Sequence, residues 1–311
     1  MAISAPKGLN RSSLTFGGEL ASKAVIVGCG TTGGIAAKLL ADAGVSVRVI
    51  DRDFVDQKNL QRQRLFTEND IGKAKASVAA ERLGVDGVAD EITSDTITRL
   101  VGTPSVVLDC TDNMAARFLL NDYCLKNRVP WIYSGAVEKR GVVFSVSANG
   151  RPCLRCLIPK EPGQLESCDL VGVNLETAKL VATLQVERAL SILSGKQPSG
   201  EMMDIHEARA SKTNVPSRKN CEACNGVYAY LGKKPSATHL CGRDAYLIRL
   251  DQKPDLEKIA GQTMFKKEMF DGVLHLHPYD KRITLFGNGR AIVEAASESE
   301  ARSRLARFVG V

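Results

Sequence analysis

No stretch of the chain approaches the roughly 18 consecutive apolar residues of a membrane-spanning helix, and no charged segment followed by an apolar core stands at its start. Membrane insertion and secretion are therefore not expected, and the sequence reads as that of a cytoplasmic protein. It has no basic run either. The net charge of +7 arises from 42 Lys and Arg against 35 Asp and Glu spread along the chain, which leans toward polyanionic ligands and gives no ground for a nucleic-acid partner. A Walker A sequence is missing, which excludes a P-loop ATPase, and no internal repeat points to a solenoid or propeller. Histidine is scarce. His206, His239, His275 and His277 lack metalloprotease spacing, and the last two, alternating through Leu276, are expected to share the solvent face of one strand. The nine cysteines are an odd number, several of them in CxxC pairs. Without a signal peptide they read as metal ligands or reactive thiols in a reducing compartment, not as a disulfide framework.

With 311 residues, 44% apolar and 25% charged, the chain can carry one large α/β core and a smaller unit. The core is organised around residues 24–75. The stretch AVIVGCGTTGG begins with residues suited to a buried strand and continues into Gly28, Gly30 and Gly33. A helical pattern with Ile35, Leu39 and Leu40 on one side follows and ends at Gly44; the strand SVRVI then stops at Asp51. Gly28 permits the tight turn, Gly30 lets a phosphate approach the backbone, and Gly33 lets helix and strand pack closely. Free N–H groups at the helix start face the phosphates. Asp51 follows Gly28 by 23 positions, the spacing of a carboxylate that takes both ribose hydroxyls. This context makes a nucleotide site the reading, against the plainer one of structural glycines in an α/β turn.

After Asp51 comes a polar loop carrying Asn59, Arg62 and Arg64, then a helix expected from about Gly72 to Leu83 with Lys73 and Lys75 in its first turn. Cations are disfavoured there unless an anion answers them. Asn59, Arg62 and Lys75 supply donors that fit a triphosphate better than a single pyrophosphate, Arg through bidentate contacts and Lys as a mobile point charge. A solvated face is the plainer alternative. The segment SVVLDCTDN reads as a strand ending in Asp109, Thr111, Asp112 and Asn113. Carboxyl ends of parallel strands border the ligand crevice, so this turn is expected beside Asp51, with Asp112 suited to hold Mg²⁺ between phosphate oxygens. The set suggests attack on an α-phosphate: adenylation of a carboxylate, with pyrophosphate leaving and the protein supplying position and charge stabilisation.

Residues 1–20 form an arm that cannot build a core alone. Strands are expected at Trp131–Ser134 and Val142–Val146, the latter antiparallel. A long helix over Leu175–Leu193 carries a stripe of Leu180, Leu184, Ala189 and Leu193, as core or dimer seam. Residues 207–226 are polar and loop-like. From Val227 the pattern changes to AYLIRL, GVLHLHP, RITLFGNG and AIVEA, short strands with a hairpin signal at GNG and a terminal helix. The expected division is therefore 1–20, 21–226 and a small α+β module over 227–311.

Cys153 and Cys156 lie in PCLRC, and Cys221 and Cys224 in NCEACNG. Two such knuckles supply four thiolates for a closed, structural Zn²⁺ site that staples distant segments; an iron–sulfur cluster or free thiols are the alternatives. Cys168, in ESCDLVGV, stands apart and reads as an accessible thiol or an ordinary cysteine near a surface loop. Cys29, Cys110 and Cys124 look like small packing residues. Cys241 has no strong account.

Taken together, the sequence resembles the E1-like adenylyltransferases that activate ubiquitin-like sulfur-carrier proteins for thiamin, molybdopterin or thiolation pathways. GCGTTGG, DRDFVDQKNLQRQ, GKAK, LDCTDN and the two CxxC pairs carry the likeness, which covers most of the chain. The resemblance implies an α/β fold: a Rossmann-like, mostly parallel eight-stranded sheet with a zinc-stapled crossover region, in a homodimer. It implies ATP, Mg²⁺ and Zn²⁺, a small carrier ending in Gly-Gly as partner, and a sulfur-donor protein as a further one. Asp51 would hold the ATP ribose, Asn59, Arg62 and Lys75 the phosphates, Asp112 the magnesium, and Cys153, Cys156, Cys221 and Cys224 the zinc. Arg11 resembles the arginine such enzymes send into the partner subunit's ATP site. Cys168 matches the cysteine of the crossover loop that some members link covalently to the carrier. Residues 240–311 look like the C-terminal extension of a thiamin-type bacterial subset. Two readings from other classes stand beside this one. Asp51, Arg62, Lys75 and Asp112 argue against a nonenzymatic carrier-binding scaffold; the charge-rich loop and paired CxxC argue against a nicotinamide-dependent oxidoreductase.

Overall fold

The segment Lys23–Val27 is apolar on both sides because both of its sides are covered. In the computed structural model, which describes residues 23–160, 172–207, 209–233, 238–240 and 244–309, it forms β1, with Ala24 and Ile26 in one apolar cluster and Val25 and Val27 in another. Arg11, Cys168 and Cys241 lie outside the described residues. After β1 come α1 (Thr31–Asp42), β2 (Ser46–Ile50), α2 (Lys75–Leu83), β3 (Asp86–Val88), α3 (Ile97–Val101), β4 (Val106–Asp109), α4 (Met114–Lys126) and β5 (Trp131–Val137). The strands pair in the order β3-β2-β1-β4-β5, all parallel. Three antiparallel strands extend the sheet to eight: β6 (Arg140–Val146), β7 (Glu201–His206) and β8 (Arg209–Asn214). Between β6 and β7 lie a short α5 (Leu154–Leu157) and the long α6 (Leu175–Leu193). The chain leaves β1 for β2 on one side and later returns to β4 on the other. A crevice opens beyond their carboxyl ends at this switch point.

A second, antiparallel sheet follows, built from β9 (Thr238–Leu240), β10 (Ala245–Arg249), β11 (Lys266–Phe270), β12 (Val273–His277), β13 (Ile283–Phe286) and β14 (Arg290–Glu294), in the order β11-β12-β13-β14-β10-β9. With α7 (Leu256–Gln262) and α8 (Glu298–Leu305) it forms the C-terminal α+β module. One face buries Leu274, Leu276 and Leu285 against Ala301 and Leu305 of α8. On the other face, Val273 and Phe286 share a cluster with Phe54 and Ala74 of the larger unit, so the two sheets are joined by a common apolar seam.

Several expectations change. Part of the loop expected at 207–226 is a hairpin of β7 and β8. The reason is that β8 reads RASKTN and is exposed throughout, an edge strand held by its pairing with β7 and showing no apolar alternation. The helix expected from Gly72 begins at Lys75, because Phe54 and Ala74 form a bridge that keeps the preceding segment extended. On α6 the buried face is Ala178, Val181, Ala182, Gln185 and Ala189, with Leu180, Leu184 and Leu193 only partly covered. His275 does not share a solvent face with His277: it is buried, between Thr284 Oγ1 at 2.8 Å and Gly72 O at 2.9 Å. Among the described residues, no helix is long and apolar enough to cross a membrane.

Candidate nucleotide site

The turn after β1 needs glycine at two of its three marked positions. Gly28 has φ +97°, and a Cβ there would lie 2.4 Å from Cys110 O; a Cβ on Gly33 would lie 1.9 Å from Gly28 O. Gly30 is different. A Cβ there would meet only Gln63 Nε2 at 3.8 Å, so Gly30 fronts open space at the mouth of α1. It is the N-cap of α1, with no side-chain cap and no acid in the first turn, so helix N–H groups remain for an anion.

Asp51 follows β2 and is turned into its own loop. Its Oδ2 accepts the Cys29 N–H and its Oδ1 the Asp53 N–H at 2.7 Å. Burial pushes its carboxyl upward, and the nearby Lys75 ammonium pulls the other way. Lys75 is buried as the first residue of α2, where the helix dipole opposes it. Asp53 answers the charge at 3.5 Å, and the Lys75 N–H bonds Asp53 O at 3.0 Å. Asn59 is buried in a 3-10 turn whose cap is Asp56, and its Oδ1 accepts from Arg62 Nη2 at 3.1 Å. At the end of β4, Asp109 is fully buried with Arg117 Nε at 3.4 Å, whereas Asp112, beyond it, is exposed by 44% and lies 3.8 Å from Arg52 Nη2. Gln185 of α6 ties the ends of β4 and β5 together by donating to Asp109 O at 2.9 Å and Ile132 O at 3.2 Å.

These elements enclose one cavity of about 420 Å³, lined by Gly28, Gly30, Asp51, Asn59, Arg62, Lys75 and Asp112. Gly33 is not in the lining; it packs the helix onto the strand. Sequence reasoning missed further wall residues. Arg52 and Asp53 follow Asp51 directly, and Arg117 sits one turn into the helix that Asn113 caps, so position alone could have marked them. Tyr230 and Lys233 carry no such signal. They reach the cavity from the segment after the second CxxC, where the Tyr230 N–H bonds Asp122 and its ring stacks on Phe118 at 5.0 Å.

The four cysteines of the CxxC pairs converge on one point, their Sγ atoms all within 4.8 Å of one another, with Cys153 to Cys221 at 3.5 Å and Cys156 to Cys224 at 3.6 Å. A tetrahedron of thiolates around zinc, with Zn–S near 2.3 Å, has edges of roughly 3.8 Å. The donor set fits that ion. Within the cluster the Cys224 thiol is held down, chiefly by its hydrogen bond with Cys153. Arg151 joins the knuckles by donating to Cys224 O at 3.0 Å, and Arg155 does so by pairing with Glu222.

Residues 20–226 match the model of the ThiF family. The sulfur carrier protein ThiS adenylyltransferase of Bacillus subtilis (strain 168) is 31% identical over 312 residues, covering 93% of this chain and 93% of that protein. The protein of the same name from Escherichia coli (strain K12) is 33% identical over 222 residues, covering 68% of this chain and 88% of its own length. A crystal structure of E. coli MccB with ATP aligns with a TM-score of 0.55 at 23% identity, covering 65% of this chain and 66% of that one, a likeness of fold.

Proposed function

The chain belongs to the ThiF family, and from that premise we propose that it adenylates the C-terminal glycine carboxylate of a small ubiquitin-like sulfur-carrier protein, consuming ATP and releasing pyrophosphate. The observation that carries this reading is the meeting of Asp51, Asn59, Arg62, Lys75 and Asp112 around one cavity, in a chain similar along nearly its whole length to a sulfur carrier protein ThiS adenylyltransferase. Asp51 takes the ribose hydroxyls. Gly30 and the start of α1 receive phosphate oxygens, with Arg62, Asn59 and Lys75 as donors. The carrier's terminal carboxylate attacks the α-phosphorus, the bond to the bridging oxygen of pyrophosphate breaks, and the cations meet the charge that grows on the leaving group. Mg²⁺ held by Asp112, whose exposed carboxylate leaves room for the ion's waters, would neutralise part of that charge.

The cysteine cluster would hold Zn²⁺ as a closed structural site, keeping the segment with Tyr230 and Lys233 against α4. In the same reading the protein is a homodimer in which Arg11 completes the partner subunit's ATP site. Cys168 serves the later sulfur transfer, with a sulfur-donor protein supplying the atom. The decisive experiment is exchange of labelled pyrophosphate into ATP in the presence of a panel of small carriers ending in Gly-Gly. Exchange that depends on one of them is expected; none with any carrier overturns the reading.

A further inference from the structure

Three loop segments flank the nucleotide cavity, residues 52–56, 72–75 and 88–91, and the C-terminal sheet grips all of them. Arg290 of β14 is fully buried. Its Nη1 donates to Arg52 O at 2.9 Å, its Nη2 to Ala89 O at 2.6 Å, and its Nε lies 3.3 Å from Asp90 Oδ1. The Phe286 ring covers the guanidinium at 4.3 Å. Arg249 stands directly opposite Arg290 in the pairing of β10 with β14, and like charges opposite each other in a sheet repel. Within the module Arg290 meets Asn288 Oδ1, 3.2 Å from its Nε, and the Phe286 ring, neither of which carries a negative charge. The acids after β3 do: Arg249 Nη2 reaches Glu91 O at 3.2 Å and lies 3.8 and 3.7 Å from the carboxylates of Asp90 and Glu91.

The same acids lead into the site. Glu91 accepts from Arg52 Nη1 at 2.8 Å, and Arg52 Nη2 faces Asp112 at 3.8 Å. Two further contacts reach the donor loops. Arg282 pairs with Asp56, the cap of the turn that carries Asn59, at 3.1 Å, and His275 bonds Gly72 O, three residues before Lys75. We propose that Arg290 is a positioning residue of the nucleotide site: holding Arg52 O, Ala89 O and Asp90, it fixes the Asp51–Asp53 loop and sets Arg52 beside Asp112, so the C-terminal module completes the Mg²⁺–ATP site. This rests on the adenylyltransferase reading only for its kinetic readout. Nucleotide binding tests it separately.

The experiment titrates full-length protein with Mg²⁺–ATP without carrier, and measures KM for ATP and for carrier in pyrophosphate exchange. Loss of hydrogen bonds made by a buried charge predicts that Arg290→Met raises the Kd for Mg²⁺–ATP by about tenfold or more, with KM for carrier unchanged. Arg290→Lys, which keeps the charge and loses the fork, should recover only part of the affinity. Leu305→Ala is the stability control: it opens the module's own core on the face away from the site, and should lower the melting temperature while leaving Kd near wild type. If Arg290→Met does not fold, Asn288→Ala, which removes a second donor to Ala89 O, and Arg290→Lys carry the comparison. Wild-type affinity in the folded Arg290 and Asn288 variants, equal weakening by Leu305→Ala, or a wild type that does not bind Mg²⁺–ATP overturns the proposal. A wild type that binds Mg²⁺–ATP yet exchanges no pyrophosphate sinks the adenylyltransferase reading alone.

Discussion

At the scale of single residues, the groups that line the cavity differ in how deeply they are built into the fold. Asp51 and Lys75 are buried and already bound into backbone and ion pairs, whereas Arg62 and Asp112 stand nearer solvent on segments with little apolar surface to maintain. Removing either of the latter should therefore spare the fold and strike the transition state. Arg62→Ala and Asp112→Ala are each expected to reduce carrier-dependent pyrophosphate exchange about 10²–10³-fold, on the order of 2.7–4 kcal/mol if comparable to the loss of one oxyanion donor. Far-ultraviolet circular dichroism should be unchanged; near wild-type exchange in either variant would remove it from the machinery. Cys168 calls for a different outcome. Glu166 and Asp169 flank it in sequence, and neighbouring acids oppose the thiolate it would need. Cys168→Ala should keep ATP–pyrophosphate exchange and lose any reductant-sensitive adduct with the carrier. Intact-mass analysis after incubation with ATP, carrier and a sulfur donor reads the difference. Unchanged sulfur transfer in the variant, with no adduct on wild type, would make this cysteine a bystander.

Among the elements, the two CxxC knuckles join segments 68 residues apart, bringing residues 153–156 to 221–224 and thereby setting the 229–232 turn on α4. One Zn²⁺ per chain is expected by metal analysis. Chelation or Cys221→Ser should lower the melting temperature more than it weakens ATP binding, since metal binding and folding are coupled; a zinc-free protein of equal stability would contradict this. What could be read from the sequence follows the same division between local and distant causes. The glycine turn was legible because Gly28 and Gly33 answer to steric demands within one βα unit. So was α6, with Asn174 capping its start and Gly195 just beyond its end. The polar edge strand β8 was not, because pairing with β7, not apolar periodicity, holds it. Tyr230 and Lys233 were hidden for a further reason: contacts distant in sequence, from the Tyr230 N–H to Asp122 and from Ser94 Oγ to Lys233 O, place them at the cavity. Arg290, directly after the Gly287–Gly289 turn, carries no sequence mark of its burial, yet it is fully buried.

For the whole molecule, the seam between the two sheets joins an apolar cluster to a polar clasp, and His275 lies in both. It packs edge-on against Phe54 at 4.8 Å and Phe270 at 5.6 Å while bonding Thr284 and Gly72 O. Burial pushes its imidazole down to about 4, with Arg282 and His277 opposing a proton and the Gly72 carbonyl and Glu268 favouring one. An unfolded histidine has a pKa near 6.5, so between those values the unfolded chain binds a proton that the folded chain refuses. Stability must then fall as pH drops from about 6.5 to 4, by on the order of 3 kcal/mol in total from this group. Carboxylates titrate over part of the same range, so the measurement is a comparison of wild type with His275→Gln by chemical denaturation at several pH values. The variant should be less stable at pH 7.5, where the neutral ring holds the seam, and the gap should narrow or reverse by pH 4.5. Parallel pH profiles would show that His275 does not stay neutral in the folded protein.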